Sequence, residues 1–190
     1  MKENYIIAAF RETVVQRFPE QSVELNRLLD EKLSRLRSMH LNASKEKQFH
    51  LESQILPGIA AYETLQTVMP KDEALQTVHG YVEEHAWTMR KTILKLLKVP
   101  GLYHPPVLFS KLTPKFYGET AGFAATEYQI SGGVWRIDMT KCPYHDTCVE
   151  HGCPELCPCF CDSDDIAYDD LHPKLVWHRT KTLRRGDDRC

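Results

Sequence analysis

Four cysteines fall within ten consecutive positions, GCPELCPCFC, from Gly152 to Cys161. The chain has seven cysteines in all, and the first is Cys142. Such a cluster can hold a metal ion, form disulfides, pack a core or supply a reactive thiolate. The count is odd, and the apolar run before Arg11 is too short for a signal peptide. We therefore expect a cytosolic protein with reduced thiols.

The cysteine spacing is unlike that of common metal sites. No two cysteines form a C-x2-C pair, the arrangement with which zinc knuckles and ferredoxins aim two thiolates at one ion. We therefore expect no resident cofactor. The alternative is an irregular zinc site, with Cys153, Cys157, Cys161 and His172 as ligands.

Three of the cysteines recur at intervals of four residues. Cys153, Cys157 and Cys161 would therefore lie on one face of a helix. Pro158 lacks the amide that would bond to the carbonyl of Pro154, so one straight helix is disfavoured. The sequence predicts instead that Pro154 begins a helical turn and that Pro158 marks a second start or a kink.

Acidic residues and a histidine follow the thiols closely. Glu155 lies within the cysteine run, Asp162, Asp164 and Asp165 come directly after it, and His172 follows. Carboxylates raise the pKa of a nearby thiol, whereas a histidine or a helix start lowers it. The acids are therefore candidates for proton transfer. In the alternative interpretation, the aspartates cap a helix that begins after them.

Arg179, in the segment HRTKTL, is the candidate anion-binding residue. A guanidinium can clamp a carboxylate with two parallel hydrogen bonds. In an alternating strand Arg179 would share a face with Trp177 and Lys181, and Thr182 would lie on the other face.

The elements that must position these groups change type along the chain. Residues 3–99 show helical periodicity in three amphipathic segments, and Pro57 and Gly58 should kink or split the second segment. Between Val99 and Pro114, four prolines exclude a regular helix and indicate a crossover.

The rest of the chain has the pattern of a small antiparallel sheet. FAATEYQISGGVWRIDMTKC predicts two strands joined at Gly132 and Gly133, and Lys174 to Leu183 is a third β-like run. Helices followed by such a sheet predict an α+β fold. We expect one domain, 1–190, with a helical part at 1–99 and a sheet and cysteine-rich part at 100–190.

Composition argues against two classes of partner. The chain has 24 basic and 26 acidic residues, a formal net charge of −2, and no basic block longer than Arg184 and Arg185. We therefore expect no nucleic-acid partner and, since no apolar stretch approaches a membrane span, no membrane partner. The sequence does not predict an oligomeric state. Five histidines outside any acid or thiol motif are interpreted as surface or capping residues: His40, His50, His79, His85 and His104.

Five ordered motifs occur in the last third of the chain: Cys-Pro-Tyr, Glu-Leu-Cys, an Asp pair, Leu-His-Pro and Arg-Thr-x-Thr-Leu. They occupy residues 142–144, 155–157, 164–165, 171–173 and 179–183, accompanied by Cys161, Gly186 and Cys190. In these motifs the chain resembles the family of L-2-amino-thiazoline-4-carboxylic acid hydrolases.

The resemblance implies a hydrolase that opens a small cyclic amidine or thiazoline carboxylic acid at a C–N or C–S bond. The product would be a carbamoyl derivative of cysteine. Ring opening needs a nucleophile, a proton for the leaving atom and a hold on the substrate carboxylate. Under this hypothesis the nucleophile is Cys157 or Cys161, and next Cys153.

The remaining roles follow from the same hypothesis. Glu155 or Asp165 would hold the cationic amidine and transfer protons, and His172 would activate the thiol or water. Arg179 would bind the carboxylate, with Asp164 and Thr182 as further substrate-binding candidates.

Two alternatives stay open. In one, a carboxylate activates water directly and the cysteines only pack the pocket. In the other, the chain is a non-catalytic module whose thiols bind a metal or sense oxidation.

Overall fold

The computed structural model describes residues 3–99, 116–131, 134–173 and 176–190. The predicted crossover after Val99 and the predicted Gly132–Gly133 turn lie outside these ranges. Within them the fold is α+β, as predicted. The helical part comprises α1 (Tyr5–Arg17), α2 (Ser22–Met39), α3 (Lys45–His50), α4 (Leu56–Leu65) and α5 (Lys71–Leu96).

A π-helical turn, Leu51–Ile55, joins α3 to α4. Pro57 has no N–H to donate to the carbonyl of Ser53, four residues earlier. The side chain of Asn4 donates to that carbonyl instead, at 2.8 Å. The second helical segment is thus divided near Pro57, as predicted, and the freed backbone group finds a partner.

The apolar faces of these helices form the core. Phe10 of α1, Leu29 and Leu36 of α2, and Leu56 and Ile59 of α4 are fully buried. Removing one such side chain from water stabilises the fold by about 1.5–3 kcal/mol. The helical periodicity of the sequence therefore marks the faces that pack together.

The predicted hairpin is confirmed as strands β1 (Ala124–Ser131) and β2 (Val134–Lys141), which pair antiparallel. Met139 of β2 exchanges two further backbone hydrogen bonds with Cys190, at 3.0 and 2.9 Å. These bonds fix Cys190 beside the sheet.

The described part of the third β-like run, residues 176–182, does not form a strand, because these residues have no strand pairing. Their side chains bond to a helix instead: Trp177 Nε1 donates to Asp165 Oδ1 at 2.8 Å, and Arg179 donates to the carbonyl of Cys161 at 3.0 Å. Local β-propensity is overridden because the polar groups of this segment find partners on that helix.

The cysteine-rich stretch forms α6 (Pro143–Glu150), a 3-10 turn at Pro154–Leu156, and α7 (Cys157–Tyr168). Pro154 begins the turn and Pro158 lies in the first turn of α7, in agreement with a second helix start. The idea that the aspartates cap a later helix is wrong, because α7 starts before them.

Two helices of the first half support α7. It packs along α5, and its residue Phe160 lies against Gly58 of α4. A Cβ at Gly58 would lie 2.7 Å from Phe160 Cζ, so the close approach requires glycine. Of the helices in the described ranges, none combines the length and apolar character needed to cross a membrane.

Candidate active site

One face of α7 carries thiol, carboxyl and phenol groups together. Cys157, Cys161, Asp164 and Tyr168 follow one another at intervals of four, three and four residues, which places them on the same face. Cys157 is buried, whereas Cys161 and Asp164 are partly accessible. The predicted helical face therefore exists from Cys157 onward.

Two distant cysteines join this face to form a thiol cluster: Cys142, Cys157, Cys161 and Cys190. Cys142 is the N-cap residue of α6, and the sulfur of Cys190 accepts the backbone N–H of Leu183 at 3.3 Å. All four lie close enough to influence one another's pKa. Helix α6 and the backbone bonds to β2 thus bring remote thiols to α7.

Cys161 differs electrostatically from its neighbours. A hydrogen bond from the Cys157 thiol, followed by attraction to Arg179 and Arg184, lowers the pKa of Cys161. Burial and the charge of Asp164 oppose this effect. Cys161 is thus both partly accessible and biased toward the thiolate, the reactive form of cysteine.

The other thiols of the region are biased toward the neutral form. Burial raises the pKa of Cys142 and of Cys159 to about 12. The pKa of Cys157 is raised well above its ordinary value, first because its thiol donates to Cys161 and then because it is buried. Burial also raises the pKa of Cys190.

Arg179 is held on the same side of α7. Its guanidinium donates to the Cys161 carbonyl and to Asp164 Oδ2, both at 3.0 Å, and lies 3.7 Å from Asp165 Oδ2. It also stacks over the Trp177 ring at 5.2 Å. Only 15% of its side chain is exposed, so its charge acts with little screening by solvent.

Asp164 is crowded and accessible at once. Burial raises its pKa from 3.8 to about 6, against the attraction of Arg179, while 47% of its side-chain surface remains exposed. Tyr117, Tyr144 and Tyr168 lie close enough to be affected by its charge. Asp164 is therefore surrounded by protein groups while part of its side chain remains open to solvent.

A polar cavity of about 320 Å³ adjoins Arg179. Four of its lining residues are cationic at neutral pH and two are aspartates, which favours an anionic ligand. Thr182 is 4% exposed, and its hydroxyl has no hydrogen-bond partner among the described residues. The lining comprises Asp165, Asp169, Trp177, His178, Arg179, Thr180, Lys181, Thr182, Arg184 and Arg185.

Glu155 has a different environment. It accepts hydrogen bonds from Tyr62 at 2.7 Å and Lys71 at 2.8 Å. Burial alone would raise the pKa of Glu155, but the bonds from Lys71 and Tyr62 lower it. Glu155 therefore links the 3-10 turn to α4 and α5 as an ionised carboxylate.

The remaining predicted residues lie as follows. Cys153 is buried beside Cys148, and His172 is half-buried after the end of α7. The structure thus groups Cys157, Cys161, Asp164, Asp165 and Arg179, with Thr182 in the adjoining cavity.

The alternative zinc ligands do not converge. Among the residues that the structure places, the group whose potential ligand atoms all lie within 4.8 Å is His40, Glu150 and His151. The set of Cys153, Cys157, Cys161 and His172 forms no such group.

The interpretation of the helical-half histidines is wrong in part. His50 is 3% exposed, lies 3.1 Å from Tyr144 Oη and contacts the Phe116 carbonyl at 2.6 Å. His40 does lie at the C-cap of α2, but it is buried and has Glu150 nearby. His104 falls in a segment that the structure does not describe.

Sequence reasoning about chemistry missed Cys142, Cys190 and Arg184. Arg184 is paired with Asp162 at 2.6 Å and attracts the Cys161 thiolate. Cys142 opens the first of the five ordered motifs, and Cys190 follows the last one. This association with the motifs was the sequence signal that could have identified both cysteines as site residues.

Comparison with known proteins gives one match. No curated protein and no solved structure matches the chain significantly. The family model described as L-2-amino-thiazoline-4-carboxylic acid hydrolase matches residues 48–190, which include the α7 face, the thiol cluster and the polar cavity. The chain belongs to the L-2-amino-thiazoline-4-carboxylic acid hydrolase family.

Proposed function

We propose that this chain hydrolyses a small cyclic amidine acid of the 2-amino-thiazoline-4-carboxylate type, with Cys161 as the nucleophile. The observation that carries the proposal is the state of Cys161: partly accessible, lowered in pKa and on the same helix face as Asp164. Of the predicted nucleophiles, Cys153 and Cys157 are both buried.

The proposed first step forms a covalent intermediate. Cys161 Sγ attacks the ring carbon that lies between sulfur and nitrogen. The bond from this carbon to the ring sulfur or nitrogen then breaks, and the leaving atom takes a proton from Asp164. A carboxyl group with a pKa of about 6 is suited to this exchange, because both of its forms are populated near neutral pH.

The second step releases the product. Water adds to the same carbon and gives a proton to the Asp164 carboxylate, and Cys161 leaves as a thiolate. The net reaction consumes one water and yields a carbamoyl derivative of cysteine. The thiolate is a good leaving group because its pKa is lowered.

The substrate carboxylate is assigned to the polar cavity. Arg179 connects the cavity to Cys161, because it lines the cavity and donates a hydrogen bond to the backbone carbonyl of Cys161. Thr182 lines the same cavity and is the second proposed contact of the substrate. Arg185 lines the same cavity and has no ion pair within the described ranges, so its charge is available to an anion.

Turnover of the thiazoline acid by single-cysteine variants tests this proposal. Cys161→Ser should lower kcat by more than about a thousandfold, because the alkoxide needed for attack is scarce at neutral pH. Cys148→Ala, which removes a buried thiol outside the cluster, should keep near-normal turnover if its thermal unfolding is unchanged.

Mass spectrometry of the quenched reaction supplies a second readout. An adduct at Cys161 should add the mass of the intact substrate, because ring opening after attack loses no atom. If Cys161→Ser turns over normally while Asp165→Asn is inactive, a carboxylate activates water directly and the covalent route is wrong.

A further inference from the structure

The ends of α2 and α6 bring together three side chains that the proposed reaction does not use. His40 directly follows α2, Glu150 is the last residue of α6, and His151 directly follows it. We propose that His40, Glu150 and His151 form a binding site for a divalent transition-metal ion of the Zn²⁺ class, which links the helical half of the fold to the cysteine-rich half.

The geometry is close to that of a bound ion. His40 Nε2 and His151 Nε2 are 3.0 Å apart, and one ligand atom from each of the three residues lies within 4.8 Å of the other two. Two imidazole nitrogens bound to one tetrahedral zinc are separated by about 3.3 Å. Small side-chain rotations would therefore suffice to place all three atoms around one ion.

The contact between the two rings also suits a metal. His40 Nε2 and His151 Nε2 share one N–H···N hydrogen bond, and an ion would replace that bond with two nitrogen–metal bonds. The neutral imidazole is the form that binds metals.

The backbone around the three residues favours a cation. The carbonyl ends of α2 and α6 both lie here, and helix C-termini carry partial negative charge. Gln48 Nε2 donates to the backbone carbonyl of His40 at 2.6 Å, which holds the first ligand in place. The positive charge of Lys47 opposes the binding of a cation here.

The donor set indicates the class of ion. Two imidazoles and one carboxylate are borderline ligands that suit Zn²⁺ and its neighbours in the first transition row better than Mg²⁺ or Ca²⁺. Glu150 is exposed, so the ion can enter from solvent and keep a water as a fourth ligand. Since α6 begins next to Cys142, a bound ion would also steady one member of the thiol cluster.

The test must separate nitrogen and oxygen ligands from sulfur, because seven free cysteines can also bind zinc. We therefore choose Co²⁺ as the probe, added to the reduced full chain without oxygen, with Zn²⁺ as competitor. Thiolate ligands give Co²⁺ an intense charge-transfer absorption, whereas imidazole and carboxylate ligands give only weak bands. The wild-type chain should bind one equivalent with the weak bands, and Zn²⁺ should displace it.

Three variants locate the site. His151→Ala and Glu150→Gln should each weaken Co²⁺ binding by at least about tenfold and remove the weak bands. His145→Ala on the same helix should bind as the wild type does. Because His151 and Glu150 are not buried, loss of binding with unchanged circular dichroism reports ligation rather than unfolding.

Two outcomes would overturn the proposal. One is an absence of saturable Co²⁺ binding by the wild-type chain. The other is a spectrum and affinity that are the same in His151→Ala as in the wild type, which would place the ion on the thiols. Both readouts are independent of turnover, so they stand apart from the proposed hydrolysis.

Discussion

Two cysteine pairs in this protein have the same internal contact but different surroundings. In each pair one thiol donates to the other, Cys157 to Cys161 and Cys148 to Cys153, and the pKa of each donor is raised. Cys161 is partly accessible and has guanidinium groups nearby, whereas Cys153 is 4% exposed. The effects on the Cys148 pKa come from other thiols and burial.

The difference shows what turns a cysteine-rich segment into a reactive site. A neighbouring thiol can donate one hydrogen bond to a thiolate, but it supplies no charge and does not open the site to solvent. Arg179 supplies the charge, and the position of α7 leaves Cys161 accessible. Reactivity is therefore expected at one cysteine of the cluster rather than at all of them.

Replacement of Arg179 should have the largest effect on the difference in reactivity between Cys161 and the other cysteines. Arg179→Met removes one of the two cations near Cys161 and the proposed carboxylate contact, so kcat/KM should fall by about 100- to 1,000-fold. The pKa of Cys161 should rise, and its alkylation by iodoacetamide at pH 7 should slow. Peptide mass spectrometry of samples alkylated at several pH values measures both the alkylation rate and the pKa of Cys161.

The matched control is Arg136→Met, which removes an exposed guanidinium paired with Asp138. It should leave Cys161 labelling unchanged. If Cys161 reacts as fast in Arg179→Met as in the wild type, the hydrogen bond from Cys157 and the charge of Arg184 account for the low pKa of Cys161 without Arg179.

Two glycine-to-alanine substitutions, at Gly58 and at Gly80, test how α7 is positioned. Gly58→Ala places a methyl group 2.7 Å from Phe160 Cζ and should destabilise the fold by about 1–3 kcal/mol. A methyl group at Gly80 of α5 would meet no heavy atom within 4 Å, so Gly80→Ala should stabilise by up to about 1 kcal/mol. Urea unfolding measures both values.

Cys161 labelling extends the glycine test to the site. It should change in Gly58→Ala and not in Gly80→Ala, because Phe160 directly precedes the reactive residue. Equal stability of the two variants would show that Phe160 moves aside without cost.

The parts of the fold that sequence predicted are those fixed by local spacing. Helical periodicity marked the buried faces of α2 and α5, and two glycines marked the hairpin. The prediction of a third β-like run was wrong over its described residues, 176–182, because valine, tryptophan and threonine favour strands only where a partner strand exists. Here Asp165 and the Cys161 carbonyl provide other partners for Trp177 and Arg179.

In the candidate site, too, the sequence predicted only the parts that local spacing fixes. Spacing of four residues placed Cys157 and Cys161 on one face, and α7 extends that face to Asp164. Glu155 stands only two residues before Cys157, yet Tyr62 and Lys71, from far along the chain, hold it. His40 and His151 are separated by 111 positions, and no local pattern could bring them together.

The smallest effect concerns Asp164 and the pH dependence of stability. Its pKa is raised from 3.8 to about 6 in the folded chain, so the folded state holds a proton that the unfolded state has already lost. Stability from this group is therefore complete below pH 3.8 and is lost as the pH rises through about 6. Because the side chain is half exposed, the loss should be at most about 1 kcal/mol.

Asp164→Asn removes this titration and should give a flatter profile. The free energies of unfolding at pH 4.5 and pH 7, measured with urea for both proteins, provide the comparison. Between these two pH values the wild type should lose more stability than the variant, because only the wild type must ionise a crowded carboxyl group. A wild type that instead gains stability relative to the variant over this range would mean that the ion pair with Arg179 outweighs burial. Asp164 would then be ionised throughout and could not supply the proton that the proposed ring opening needs.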